Sequence, residues 1–301
     1  MNIAITGPTG NIGHKLVHEL LNDGAHNLVL LARSPEKLQP EQSRGAHLIA
    51  GDLADSAYFE RATEGVDALF AMIPPHFAAE DFRAYQNRIV DAGVHAVRRQ
   101  EIPHVVLLSS IGGHLKEGTG PILGLHDAEE KYASVAQRLT ILRPSYFMEN
   151  FLMHLDAIQK TGTIFLPVPG EARLPMIATG DIASVAAHRI VEAGSPGVQV
   201  VPLHGPRDYS FAEAARILGR SLGAELQHVE VTPEQARESL KGMGASDDAS
   251  AKMVEMHQAI ASGHLQAEHP RSPETTTPTT FEIFVEETVK PLLAGTHAGR
   301  S

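Results

Sequence analysis

Residues 6–13 read Thr-Gly-Pro-Thr-Gly-Asn-Ile-Gly, directly after a short apolar run and directly before a helical pattern. Gly7 permits a tight turn, Gly10 lets backbone N–H groups approach an anion, and Gly13 permits close packing of helix on strand. The N-terminus of the helix favours the same anion, so strand, turn and helix together predict a pyrophosphate-binding loop. A glycine-rich turn that binds nothing is the alternative.

Outward from this loop, short apolar runs alternate with helical patterns, which indicates βαβ units and a parallel sheet. Six strands are predicted, over residues 2–6, 27–32, 47–50, 68–72, 105–109 and 140–143. Helices are predicted between them, over residues 11–22, 56–63, 81–99 and 123–137. The predicted fold class is therefore α/β, a Rossmann-type doubly wound parallel sheet that binds its ligands at the carboxyl ends of the strands.

The alternation changes after residue 144. Strands are predicted over residues 163–166, 198–202 and 225–231, among helices over 179–193, 211–222, 233–241 and 281–293. This pattern indicates a smaller C-terminal α/β lobe that closes over the crevice. We therefore expect a nucleotide-binding domain over residues 1–150 and a substrate-binding lobe over residues 151–301, and leave open whether the two interleave.

The composition excludes several classes of protein. The 301 residues include no cysteine, which excludes disulfides, thiolate metal centres and a cysteine nucleophile. The net charge of −11 opposes binding to nucleic acid or to an anionic membrane. The sequence has neither an apolar run of membrane-spanning length nor a leader pattern at its N-terminus. We expect a cytoplasmic protein whose partner is a small molecule, and leave a homodimer open.

The 17 histidines raise the question of a metal site, and His14 and His18 share one face of the first predicted helix. No glutamate follows them in a zinc-protease pattern, the helix adjoins the expected nucleotide, and the other histidines are scattered. The sequence therefore predicts no metal site. It also lacks the Gly-x-Ser-x-Gly turn of a serine hydrolase.

The residues after the second and third predicted strands bear on the cofactor. Proteins that bind NAD usually carry an acid after the second strand, but this chain has Arg33 and Ser34. Arg33 can pair with a 2′-phosphate, assisted by Ser34 and Lys37, so NADP(H) is predicted over NAD(H); a solvated arginine is the alternative. Asp52 is placed to accept from an adenine amine and Leu53 to cover the ring; Asp52 as the N-cap of the next helix is the alternative, and the two roles are compatible.

Seven stretches resemble the NmrA-like branch of the atypical short-chain dehydrogenase/reductases. They are TGPTGNIG at 6–13, LARSPEKL at 31–38, GDL at 51–53, HVVLLSS at 104–110, HDAEEKY at 126–132, LRPSYFMEN at 142–150 and TGDIASVAA at 179–187. The resemblance implies an NADPH-dependent oxidoreductase, similar to the quinone oxidoreductases and triphenylmethane reductases of this branch. The branch also includes non-catalytic redox sensors, so an NADP(H) sensor is one alternative, and a ketoreductase of secondary metabolism is another.

The resemblance also identifies candidate catalytic residues. The wider superfamily uses a Tyr-x-x-x-Lys pair on the helix after the fifth strand, and here His126 takes the tyrosine position and Glu130 the lysine position. Proton donation by that tyrosine is therefore not expected. Glu130 lies one turn after His126 and can orient it as an imidazolium donor, although an ordinary surface pair fits equally well. Ser109 matches a substrate-binding serine, and capping of the strand end is its alternative.

The predicted site residues form two sets. Met72, Ile73 and Pro74 are included as an apolar wall beneath the nicotinamide, and Tyr146 as a residue that lines the cleft after the sixth strand, with a core position as its alternative. The catalytic set is His126, Glu130 and Ser109. The cofactor-binding set is Thr6, Gly7, Thr9, Gly10, Asn11, Ile12, Gly13, Arg33, Ser34, Asp52, Leu53, Met72, Ile73, Pro74, Ser109 and Tyr146. The predicted activity is hydride transfer from NADPH to a conjugated or aromatic acceptor, namely a quinone, a dye or a polycyclic natural-product intermediate. Such acceptors delocalise the added charge and need little acid assistance.

Overall fold

The computed structural model describes residues 1–192 and 194–298. In these residues the strands are β1 (Asn2–Thr6), β2 (Asn27–Ala32), β3 (His47–Ala50), β4 (Ala68–Ala71), β5 (His104–Leu108), β6 (Arg138–Pro144), β7 (Tyr146–Phe147), β8 (Thr163–Leu166), β9 (Arg173–Ile177), β10 (Gly197–Leu203), β11 (Asp208–Ser210) and β12 (Gln227–Glu230). The helices are α1 (Asn11–Asp23), α2 (Gln39–Ser43), α3 (Ser56–Ala62), α4 (Phe82–Arg99), α5 (Leu123–Ala133), α6 (Leu155–Thr161), α7 (Thr179–Val191), α8 (Phe211–Leu222), α9 (Pro233–Gly242), α10 (Asp247–Ala261), α11 (Phe281–Phe284) and α12 (Lys290–Ala298). A π-helical turn, Val285–Val289, joins α11 to α12. None of the described helices is long and apolar enough to cross a membrane.

Seven parallel strands form the central sheet, in the order β3-β2-β1-β4-β5-β6-β10. Every residue of β4 and β5 is buried, as expected for continuous apolar strands that are covered on both faces of a parallel sheet. Side chains of α1 and α7 pack on one face, and side chains of α3, α4 and α5 pack on the other. The predicted doubly wound α/β fold is confirmed.

The seventh strand corrects one prediction. The sequence pattern assigns residues 198–202 to the second lobe, but they lie in β10, which pairs in parallel with β6. The first four residues of β10 are exposed, and Pro202 suits the edge position that this strand occupies. A short, half-exposed strand carries no signal for the sheet that it joins. Residues after 150 therefore contribute to the central sheet as well as to the lobe.

The second lobe has a core of its own. It contains a three-stranded sheet, β11-β9-β7, and a parallel pair, β8 and β12. The buried rings of Phe151, Phe211 and Phe281 centre this core, with 5.1 Å between the ring centroids of Phe151 and Phe281. The sequence analysis missed α10, although Ser246 caps it by accepting from the Ala249 N–H. The predicted helix over 179–193 ends at Val191, and Ala193 lies outside the described residues.

Two carboxylates, Glu149 and Asp181, hold the start of α7 between the sheet and the lobe. Glu149 is buried and accepts from the Thr179 N–H and hydroxyl at the start of α7, and Lys15 donates to the same carboxylate at 3.2 Å. Asp181, in the first turn of α7, accepts from the Thr279 N–H at 3.0 Å and from the Thr279 hydroxyl at 2.7 Å. The start of α7 is therefore held by segments from both parts of the chain.

Candidate functional site

The glycine loop has the geometry of an anion cradle. Gly7 has φ +62°, and a Cβ there would overlap the Met72 side chain. A Cβ on Gly13 would lie 2.1 Å from the Gly7 carbonyl oxygen, so only glycine lets α1 begin against the turn. Gly10 is the N-cap of α1, no side chain caps the helix, and its first turn holds no acidic residue. The first N–H groups of α1 are therefore left for an anion, and these residues fit a dinucleotide pyrophosphate.

Thr6 positions this loop instead of facing the crevice. Its side chain is buried, donates to the Met72 carbonyl oxygen at 2.9 Å and accepts from the Met72 N–H at 2.7 Å. These bonds hold the segment after β4 against the glycine turn. Thr9 is exposed at the tip of the turn, and Pro74 is half-buried two residues beyond Met72.

The residues expected near the adenosine end lie at neighbouring strand ends. Arg33 is exposed after β2, and among the described residues no carboxylate lies within 4.0 Å of its guanidinium nitrogens. Ser34, which follows Arg33, is half-buried. A guanidinium without an ion-pair partner at this position suits a phosphate.

The alternative role of Asp52, as the N-cap of the next helix, is wrong. Asp55 is the N-cap of α3 and accepts from the N–H groups of Ala57 and Tyr58. Asp52 instead accepts from the Ala54 N–H at 3.0 Å, a local turn that leaves the carboxylate exposed. Leu53 is buried in the core on the α3 and α4 side, and its contact with an adenine ring stays a prediction.

A cavity of about 920 Å³ begins at the glycine loop and runs between the sheet and the second lobe. Its floor is formed by residues at the carboxyl ends of the sheet strands: Gly10, Asn11, Ile12, Met72, Ile73, Leu108, Ser109, Ser110, Ile111, Ser145, Tyr146 and Phe147. Its roof is formed by the lobe: Asn150, Met153, His154, Phe165, Leu166, Leu240, Met243, Met253, Met256, His257 and Ile260. The predicted cofactor residues from the glycine loop, the β4 end and the β5 end therefore meet at one surface.

The cavity roof is mostly apolar and rich in methionine, although Asn150, Asp156, Gln235 and Ser239 also line it. Met153, Met243, Met253 and Met256 line it, and Met153 and Met243 are mostly exposed at its rim. Methionine side chains are unbranched and polarisable, so such a surface adapts to flat aromatic ligands.

Two histidines, His154 and His257, lie among the apolar side chains of the roof. Burial, with a smaller contribution from the nearby His228, lowers the pKa of His154 to about 4. Burial also lowers the pKa of His257 to about 4, with a smaller contribution from His154. Both imidazoles are therefore uncharged at neutral pH, and the buried Nδ1 of His257 has no hydrogen-bond partner in the described residues.

Ser109 belongs to a buried ionic network that the sequence analysis missed. Its hydroxyl donates to Glu129 Oε1 at 2.5 Å, and Arg143 donates to both oxygens of Glu129 at 3.0 and 2.6 Å. Arg143 also pairs with Glu268 at 2.6 Å. The Ser109 proton is committed to Glu129, so this hydroxyl can accept a hydrogen bond in the cavity but not donate one. The available signal was an acid on the buried stripe of α5, four residues after Leu125.

His126 and Glu130 meet each other but do not line the cavity. His126 Nδ1 donates to the Gly113 carbonyl oxygen at 2.8 Å, and Nε2 lies 3.4 Å from Glu130 Oε1. The Glu130 side chain is 64% exposed, so this is the surface pair of the alternative interpretation. Leu125, one residue earlier, is the α5 side chain that reaches the cavity.

Tyr146 contributes an aromatic ring and a hydroxyl group to the cavity floor. Its ring packs edge-to-face on Phe211 with 5.5 Å between centroids. Burial raises the pKa of its hydroxyl, while a hydrogen bond with Asn150 opposes that shift. Tyr146 therefore contributes to the core of the lobe and presents a neutral hydrogen-bonding group to the cavity.

Comparison with known proteins agrees with this architecture. An NAD(P)H azoreductase of Xenophilus azovorans is 28% identical over 263 residues, 87% of this chain and 88% of the relative. Quinone oxidoreductase 2 of Escherichia coli is 27% identical over 268 residues, 87% of this chain and 89% of the relative. The crystal structure of Citrobacter sp. triphenylmethane reductase complexed with NADP(H) superposes with a TM-score of 0.78 at 21% identity, covering 95% of this chain and 99% of that one. The model of the NmrA-like family matches residues 1–285, and the chain belongs to the NmrA-like family.

Proposed function

We propose that this protein is an oxidoreductase that transfers a hydride from NADPH to a planar, conjugated acceptor held in the cavity. The observation that carries the proposal is the cavity itself, which joins the glycine loop to a roof of methionine, phenylalanine and uncharged imidazole side chains. Its volume of about 920 Å³ suits an aromatic acceptor lying against a nicotinamide ring.

NADPH, when bound, supplies two electrons and one hydrogen to the acceptor. The chain's own residues then have positioning roles. The N–H groups at the start of α1 hold the pyrophosphate, and Arg33 pairs with the 2′-phosphate. Met72 and Ile73 support the nicotinamide, and Ser109 accepts from its carboxamide because its own proton is held by Glu129.

The chemistry of the floor supports an acceptor that needs little acid assistance. The His126 and Glu130 pair lies outside the cavity, and the Tyr146 hydroxyl is neutral and buried. A quinone or a cationic dye spreads the incoming charge over its rings, and the final proton of a reduced quinone can come from water. A simple ketone concentrates the charge on one oxygen and needs a proton donor, and the Tyr146 hydroxyl of the floor is only a weak acid.

The direct test follows the absorbance of NADPH under anaerobic conditions after the purified protein is mixed with one acceptor at a time. The acceptors are a quinone, a triarylmethane dye, an azo dye and an aromatic ketone. We expect kcat/KM for one of the conjugated classes to exceed that for the ketone at least about tenfold. Faster reduction of the ketone would replace this proposal with a ketoreductase. Tight NADPH binding without oxidation by any acceptor would replace it with a redox sensor.

A further inference from the structure

His14, His18 and Glu41 converge on the surface of α1 that faces α2. His18 Nε2 lies 3.0 Å from Glu41 Oε1, and His14 Nδ1 lies 3.4 Å from the same oxygen. One ligand atom from each of the three residues lies within 4.8 Å of the other two. Ligand atoms about 2.1 Å from a tetrahedral Zn²⁺ are roughly 3.4 Å apart, so the spacing is close to that of a bound ion.

The burial of Glu41 indicates that this cluster is more than a surface hydrogen bond. Glu41 is 2% exposed, and its Oε2 has no hydrogen-bond partner in the described residues. Within that part of the chain, no lysine or arginine lies within 4.0 Å of its carboxylate, and its ion-pair contacts are with the two imidazoles. A buried carboxylate without a compensating cation is costly. The His14 and His18 side chains are 54% and 39% exposed, so an ion can reach the cluster from solvent.

We propose that His14, His18 and Glu41 form a binding site for a divalent transition-metal ion of the Zn²⁺ type, with water completing the coordination. Two imidazoles and one carboxylate form a ligand set that zinc accepts, and this chain offers no thiolate to compete. The sequence showed the histidine pair on one helical face, but the third ligand comes from a helix 23 residues further along the chain than His18.

Before the ion binds, Arg44 determines which ring nitrogen of His18 carries the proton. It lies 3.1 Å from His18 Nδ1 and donates to Asn22 at 2.7 Å. A guanidinium can only donate, so it leaves the neutral His18 ring proton on Nε2, directed at Glu41. A metal at Nε2 displaces that proton and moves it to Nδ1, and the exposed Arg44 side chain has to swing away. Replacement of Arg44 by a residue that cannot donate is therefore expected to strengthen binding.

The position of the site points to a structural or regulatory role. None of its three ligands lines the cavity. The ion would instead join α1, which begins at the glycine loop, to α2, which follows the segment that carries Arg33. We therefore expect metal to raise the unfolding temperature, because it binds the folded chain and not the dispersed ligands of the unfolded one.

The test titrates Zn²⁺ into tag-free, metal-free protein by calorimetry, with Co²⁺ absorption as a second readout of four-coordinate geometry. We expect one equivalent to bind, with a rise in the unfolding temperature. Affinity should fall at least about tenfold in His14→Ala and in Glu41→Gln, and should hold or improve in Arg44→Met.

The matched control is His188→Ala. His188 forms an exposed pair with Glu192 at 3.0 Å, but no third ligand from the described residues joins it. Wild-type affinity in this control supports the site. An equal loss in the control, or unchanged binding in both His14→Ala and Glu41→Gln, would overturn the proposal. His14 is exposed, so its variant keeps the test decisive even if Glu41→Gln does not fold.

Discussion

The cavity floor and the cavity roof differ in how much of their geometry one short segment determines. The glycine loop on the floor is fixed by eight consecutive residues, since Gly7 needs its positive φ and Gly13 leaves no space for a Cβ. The roof combines side chains from residues 150–167 with others from α9 and α10. We infer that the floor determines which cofactor binds, and that the roof determines which acceptor reaches it.

The largest expected effect comes from Gly13→Ala on the floor. The new Cβ would meet the Gly7 carbonyl oxygen, and backbone on both sides leaves little room to adjust. We expect NADPH affinity to fall about a hundredfold or more, with a loss of stability of about 3 kcal/mol. Gly242→Ala, whose Cβ would meet nothing within 4 Å, is the control in isothermal titration and thermal unfolding. Near-normal NADPH binding by Gly13→Ala would show that the glycine loop of the floor does not determine cofactor binding.

The next largest effect is a difference in stability between substitutions of two adjacent glutamates, Glu129 and Glu130. Glu129→Leu leaves Arg143 in a buried site with Glu268 as its one remaining ion-pair partner in the part of the chain that the structure describes, which should cost about 3 kcal/mol of stability. Glu130→Leu removes a 3.4 Å pair whose carboxylate is 64% exposed and should change stability by no more than about 0.5 kcal/mol. Urea unfolding of both variants measures the difference. Equal losses would mean that the buried network does not support the floor.

The free energy of unfolding should depend on pH through the two histidines of the roof. The unfolded chain binds protons on His154 and His257 near pH 6.5, and the folded chain does so only near pH 4. The unfolded state therefore takes up more protons between these values, and the free energy of unfolding falls as the pH falls through this window.

His257→Met should remove part of that loss, roughly 1 to 2 kcal/mol between pH 7 and pH 5. Denaturation with urea at several pH values measures it, with the exposed His188→Met as the control. A variant that loses as much stability as the parent protein would show that the roof histidine is not buried in its uncharged form.

The smallest expected effect tests whether the floor prefers NADPH over NADH. Arg33→Ala should weaken NADPH binding about tenfold, or 1.4 kcal/mol, and leave NADH binding within about twofold, because only NADPH carries the 2′-phosphate. Fluorescence titration with both cofactors measures the ratio, and Arg98→Ala, at the end of α4, serves as the control. Equal losses for the two cofactors would refute the phosphate assignment.

The same contrast explains what could be predicted from sequence. The central strands and the glycine loop were predictable because continuous apolar runs and fixed glycine spacing act over a few neighbouring residues. The pairing of Glu129 with Arg143 was not, because it needs the register of α5 against β6. Glu130, one residue away, was the predicted candidate because it takes the lysine position of the superfamily pair and follows His126 by one helical turn.

The roof was the least predictable part. α10 and its lining residue His257 lie more than a hundred residues from the strands whose ends they cover. Their apolar side chains carry no motif, since methionine and isoleucine in a cavity wall resemble the same residues in a core. The edge strand β10 posed the same difficulty, because alternating valines can pair with either sheet.

The most direct test of the division between floor and roof is the effect of a cavity-filling substitution in the roof, Met256→Phe, on two constants measured in the same protein. The account predicts that KM for the conjugated acceptor changes at least about fivefold while the NADPH dissociation constant stays within about twofold. Ile283→Phe, at an exposed position away from the cavity, should change neither constant. If Met256→Phe weakened NADPH binding as much as it altered the acceptor KM, or altered neither, the roof would not be the part of the molecule that selects the acceptor.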